Sequence, residues 1–167
     1  MSDNIAVNSK TSRYLHRVRL AGFLTSNSPM DFKVSTASIE PDGLLVSVEG
    51  EFDLSSADQV QTAAEPAISA GRPLLLDLRD CSFIDSTALR LVLQIHGALT
   101  RAAGPDAPMA VVANSEIRKF FSMTAIDQSV WVFTTREEAL AALTGTPDAE
   151  NGKPASPPDL LARSGEE

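Results

Sequence analysis

Asp85, Ser86 and Thr87 place a carboxylate and two hydroxyls in consecutive positions, between the apolar pair Phe83-Ile84 and the run Ala88-Leu89-Arg90-Leu91-Val92-Leu93. An apolar stretch that passes through a short loop into a helical pattern puts Ser86 at a helix mouth. Serine is a favoured N-cap residue because its oxygen accepts a bond from an unpaired amide of the first turn, and an anion held there meets the positive end of the helix dipole. A serine so placed is a good seat for a phosphate. As an autonomous nucleophile it would need a base within hydrogen-bond reach and a further group to orient that base. His96 lies ten residues along the same helix, about 15 Å away at ~1.5 Å per residue. His16, the second of the two histidines, belongs to the N-terminal segment. No catalytic residue is expected, and by spacing alone the same run also describes a capped helix without chemistry.

Asp53 is the other acid of interest. It closes Gly50-Glu51-Phe52-Asp53 at the end of an apolar strand pattern, where an ordinary turn or capping role and a partner contact are both open. Cys81, the single cysteine, reads as a small loop or core filler. Two histidines, one cysteine and scattered acids offer no metal-ligand spacing, and no glycine-rich phosphate loop is present, so no metal or cofactor is expected.

The elements that must position these residues alternate between two periods. Phe32, Val34 and Ile39, then Leu44 to Val48, flank the turn formers Pro41-Asp42-Gly43 and predict a hairpin whose first strand lies at a sheet edge. Ser55 and Ser56 are placed to cap a helix running to about Ala70, stopped by Gly71-Arg72-Pro73. Leu74-Leu75-Leu76-Asp77-Leu78 is nearly continuous apolar sequence, as in a central strand buried on both faces. A helix from about Thr87 to Arg101 follows. Met109 to Ala113 predicts another strand, Ser115 is placed to cap a short helix with Ile117, Phe120 and Phe121, and Val130 to Phe133 predicts a last strand. Thr135 and Glu138 have capping-box spacing ahead of a helix ending near Leu143. Strands alternating with helices predict an α/β domain with a mixed sheet of four to five strands and about four helices.

The 167 residues suit one domain with appendages. A content of 43% hydrophobic and only 5% aromatic residues fits an aliphatic core, and no apolar run reaches the roughly 18 residues of a membrane span. A lone cysteine and no secretory pattern at the N-terminus lead us to expect the cytoplasm. The charge of −8 is uneven. Residues 1–29 carry Lys10, Arg13, Arg17 and Arg19 against Asp3, whereas residues 30–143 carry 8 basic and 16 acidic side chains. An acidic domain without a basic stripe argues against direct nucleic-acid binding and for a protein partner with a basic face. Residues 1–29 read as a basic, poorly ordered extension in which Arg13 to Leu20 is either a short amphipathic helix or frayed. Residues 144–167, with Pro147, Pro154, Pro157 and Pro158, read as a disordered acidic tail.

The order of these motifs resembles the STAS domain of bacterial anti-sigma factor antagonists. Asp85-Ser86-Thr87-Ala88 is similar to the family's Asp-Ser-(Ser/Thr)-Gly signature, Val46 to Asp53 to its second strand and Gly-Glu-Leu-Asp turn, and Asn114 to Phe121 to its late helix. The resemblance runs from Met30 to about Leu143, with Ala88 standing where the family often has glycine. It implies a STAS-like fold and a protein-interaction switch that is not an enzyme. Ser86 would be the phosphoacceptor, and Asp53, Asp85, Ser86 and Thr87 would meet the partner. That partner would be an anti-sigma factor with serine kinase activity, bound while Ser86 is unphosphorylated so that a sigma factor is released, with a phosphatase to reset the switch. A STAS regulatory subunit of a membrane transporter is the alternative.

Overall fold

The structure, a computed structural model, describes residues 18–25 as backbone and residues 32–104 and 108–145 in full. Seven strands occur in these segments: β1 (Val18–Thr25), β2 (Lys33–Ile39), β3 (Gly43–Phe52), β4 (Leu74–Leu78), β5 (Cys81–Ile84), β6 (Met109–Ala113) and β7 (Trp131–Phe133). The helices are α1 (Ala57–Ala70), α2 (Ser86–Ala103), α3 (Ser115–Met123) and α4 (Arg136–Thr144), with a 3-10 turn at Ile126–Gln128. The sheet runs β1-β2-β3-β4-β6-β7, antiparallel across β1, β2 and β3 and parallel from β3 onward. The expected α/β class and mixed sheet are present.

Two strands exceed the expected five. β1 pairs with β2 along its length, so β2 is not the edge strand that the hairpin pattern suggested, and Val18 to Leu20 are extended, not helical. The rest of the N-terminal segment before Val18, and the tail beyond Gly145, lie outside the described residues. β5 arises because β3 changes partner midway. Leu44 to Ser47 pair with β4, whereas Gly50, Glu51 and Phe52 pair with β5 across a register shift between Gly50 and Glu51. Gly50 takes φ 86°, a left-handed conformation that glycine adopts without a Cβ penalty, and it lets β3 diverge there.

Alternation along each strand divides the core. On one face Val34, Val46, Val48, Leu74, Leu76, Leu78 and Val111 pack against α1, α2 and α3. Buried Ala88, Leu89, Leu91, Val92, Ile95 and Leu99 form the inner stripe of α2, each of the larger ones contributing about 1.5–3 kcal/mol by burial. On the other face Leu75, Ala110 and Val112 pack against Ala139, Leu140 and Leu143 of α4. α1 ends at Gly71 with φ 60°, as its sequence predicts.

Candidate functional site at the β5–α2 junction

β5 delivers the chain to α2 at the far end of β3, and four hydrogen bonds fix the corner. The Asp85 amide donates to the Phe52 carbonyl at 3.2 Å, and the Leu54 amide returns a bond to Asp85 Oδ2 at 3.3 Å. Asp85 Oδ1 accepts from the Ala88 amide at 2.9 Å. The Gly50 amide donates to the Asp80 carbonyl at 3.1 Å. Asp85 is therefore the N-cap of α2, in extended conformation, and Ser86 is the first helical residue. This corrects the expectation of Ser86 as the cap: a carboxylate one position earlier already reaches the third amide of the helix, which is the bond a capping serine would have made.

The consequence for Ser86 is freedom. Its side chain is exposed and makes no hydrogen bond with any described residue, whereas Thr87 is half-buried. Ala88, in place of the expected glycine, is fully buried in the core beneath the corner, and α2 starts normally around it. Asp53 stands between Phe52 and Leu54, the two residues whose backbones bond Asp85, so the structure brings the predicted acids to one corner. Asp53 Oδ1 accepts from the Ser55 hydroxyl at 2.7 Å and the Ser55 amide at 2.8 Å. The hydroxyl bond is the main reason that its carboxyl is held below the ordinary value of 3.8. Ser56 occupies the N-cap position of α1 without capping it: its hydroxyl accepts from the Asp53 amide at 2.8 Å and donates to the Glu51 carbonyl at 3.0 Å, bracing the same turn.

Three features escape the sequence reading. Leu54, whose amide bonds Asp85, and Phe83, two residues before Asp85, are large apolar residues with 73% and 51% of their surface exposed, an apolar rim to the corner. Asn114, not Ser115, caps α3: its Oδ1 accepts from the Glu116 and Ile117 amides, while its Nδ2 donates to the carbonyls of Arg79 at 3.2 Å and Cys81 at 2.9 Å. One side chain thus ties α3 to the β4–β5 turn. Asp77, 3% exposed at the end of β4, is gripped by Arg79 (Nε 3.0 Å, Nη2 2.9 Å) and by Arg136 (Nε 3.0 Å and Nη2) at the start of α4. Burial pushes this carboxyl up, but the bonds from Arg79 and Arg136 prevail and hold it below 3.8. An acid inside an otherwise apolar strand was the available signal. Cys81 is buried, donates to the Phe83 carbonyl and has its thiol pushed up by burial, while burial lowers His96, as suits structural residues. Among the described residues no acid, histidine and cysteine cluster could hold a metal, and no helix is long and apolar enough to cross a membrane.

This corner, on this sheet, matches a known family. The STAS domain family model covers residues 33–139. The chain belongs to the STAS family. A STAS-domain containing protein of Pseudomonas aeruginosa is 27% identical over 96 residues, covering 56% of this chain and 92% of its own. An anti-sigma factor antagonist from Mycobacterium paratuberculosis shares the fold with TM-score 0.60 and 23% identity, covering 71% of this chain and 99% of that one. SpoIIAA, an anti-sigma factor antagonist, shares it in unphosphorylated form (TM-score 0.53, 22% identity, covering 67% and 98%). The Bacillus cell fate determinant SpoIIAA in phosphorylated form does so too (TM-score 0.51, 22% identity, covering 64% and 96%). β1 lies before the matched span and pairs antiparallel with β2, the first strand inside it.

Proposed function

We propose that this STAS domain is an anti-sigma factor antagonist, switched by phosphorylation of Ser86. The carrying observation is the exposed, uncommitted Ser86 hydroxyl beside the Asp85 cap and the Asp53 turn, with Leu54 and Phe83 as apolar rim. Unmodified, the corner binds an anti-sigma factor through a surface that accommodates a neutral serine, and the sigma factor is released. The partner, a serine kinase, transfers the γ-phosphoryl group of ATP: the Ser86 Oγ–P bond forms, the bond to the β-phosphate oxygen breaks, ADP leaves, and the hydroxyl proton passes to a base of the kinase. The product carries about −1.5 to −2 additional charge next to two carboxylates, which converts an acceptable contact into a repulsive one. A phosphatase reverses it. Support comes from the likeness to antagonists, one of them solved in both phosphorylation states.

Affinity capture from the source cell with wild-type and Ser86→Asp protein, followed by addition of ATP to the captured material, tests this. The expected result is a kinase-like anti-sigma factor retained by wild type alone, labelling Ser86. Label that persists in Ser86→Ala and vanishes in Thr87→Ala would move the acceptor to Thr87. Capture of transporter subunits without a kinase would establish the transporter-regulatory reading in its place.

A further inference from the structure

Ser86 and Arg90 stand four residues apart on α2, and both are exposed, as are Leu93 and Gln94 further along the same stripe. Ala88, Leu89, Leu91 and Val92 on the inner side are buried. Helical residues four apart are neighbours, with Cβ atoms about 5–6 Å from one another, and long side chains lean toward the helix N-terminus. An arginine at position 90 is therefore within reach of the turn that carries Ser86. Among the described residues its guanidinium forms no ion pair, the four salt bridges involving Lys33, Arg72, Arg79 and Arg136 instead. The acids of the corner do not engage it. Asp85 is occupied by the Ala88 and Leu54 amides, Asp53 by Ser55, and Glu51, across from Phe83 on β5, is in no salt bridge.

We infer that Arg90 is an internal latch for a phosphate on Ser86, its guanidinium binding the phosphoryl oxygens one turn away along α2. An anion N-terminal to a cation at this spacing is the favourable orientation, and the planar fork of arginine donors matches phosphate in a way a lysine ammonium does not. The inference rests on phosphorylation of Ser86 and adds how the modified state is held: the phosphate is drawn down onto α2, and the cation of α2 nearest to Ser86 is withdrawn from any partner it would otherwise meet.

The test uses full-length protein with phosphoserine placed at position 86 during translation, so that no kinase is needed. Titration of the phosphate by phosphorus NMR reads its second ionisation, ordinarily near 6. Asp53, Asp85 and Glu51 raise that value in every variant alike, whereas Arg90 lowers it. Arg90→Gln should move the midpoint upward by roughly 0.3 pH unit, the size expected of one pair at this helical spacing. Arg90→Lys should keep part of the depression. Arg101→Gln, removing a charge about 22 Å along the same helix, should change nothing. An unmoved midpoint in Arg90→Gln, or an equal shift in Arg101→Gln, would overturn the latch. Because the phosphate is supplied by translation, an unmoved midpoint strikes the latch alone, and failure of ATP labelling strikes the switch alone.

Discussion

Two carboxylates sit at strand ends of the same sheet, and the protein treats them oppositely. Asp77, at the end of β4, faces the side covered by α4, is buried, and has both oxygens consumed by Arg79 and Arg136. Asp85, at the end of β5, belongs to the side covered by α1, α2 and α3, spends its oxygens on the two amides of Ala88 and Leu54, and leaves an exposed hydroxyl beside it. The first arrangement is closed to any ligand and joins elements 59 residues apart. The second keeps its backbone rigid while leaving one small polar group unspent. A buried charge saturated by partners holds structure, and a surface charge spent only on backbone can frame a site that changes state.

The comparison breaks first, and hardest, at Asp77. Asp77→Ala removes a buried acceptor from two arginines that are themselves about one-third exposed and can turn to water, so the cost falls below that of stranding a fully buried charge, at ~2–3 kcal/mol. The thermal midpoint should drop by roughly 10 °C for a domain of this size, while Ser86 labelling is retained. The pH sign follows from the lowered carboxyl: its contribution is present above the unfolded value near 3.8 and is lost as pH falls through the lower folded value. Wild-type protein should therefore lose stability in strong acid more steeply than Asp77→Asn, measured by denaturation at pH 2 to 5. A midpoint unchanged in Asp77→Ala would mean that the buried cluster contributes nothing net.

At the other site the expected effect is on binding. Ser86→Asp should weaken the captured partner by ~1–3 kcal/mol, about 5- to 150-fold, and Ser86→Ala should bind as wild type, both by calorimetric titration. Equal affinity of the wild-type, Ala, Asp and phosphorylated forms would reduce Ser86 to an inert surface residue. The smallest effect separates the two neighbours at the corner. Asp85→Ala should lose about 1 kcal/mol as a missing N-cap, whereas Ser86→Ala should stay within ~0.5 kcal/mol by chemical denaturation. The reverse order would restore Ser86 as the cap.

Much of this was legible in the residues because the signals were local. The apolar run of β4, the Gly71 stop, the Thr135–Glu138 capping box and the helical stripe after Ser86 each depend on neighbours within a turn or two. The box, for example, is realised with both of its bonds. What sequence reading misplaced depended on distant partners. β5 has only four residues with buried ends and an exposed middle, a pattern of neither period, and exists because Gly50 lets β3 swap neighbours. β1 is defined by pairing with β2, not by its own composition. Twice, at Ser86 and Ser115, the cap lies one residue before the serine, because an acid or amide immediately preceding it competes for the same amides and takes them. At the corner, the helix start at Asp85-Ser86-Thr87 was legible, but the freedom of the Ser86 hydroxyl was not, since that follows from Asp85 having taken the cap.

Asn114 draws a final consequence for how such a molecule ages. Its amide accepts two helix-start bonds through oxygen and donates to two carbonyls of the β4–β5 turn through nitrogen, so each end of the group has a fixed task. Hydrolysis of that amide to a carboxylate would leave the helix cap intact yet turn the nitrogen end into a negative oxygen facing the carbonyls of Arg79 and Cys81. A change of a single atom type would then pry the turn away from α3, and with it the strand that leads into Ser86, long before any core residue was touched.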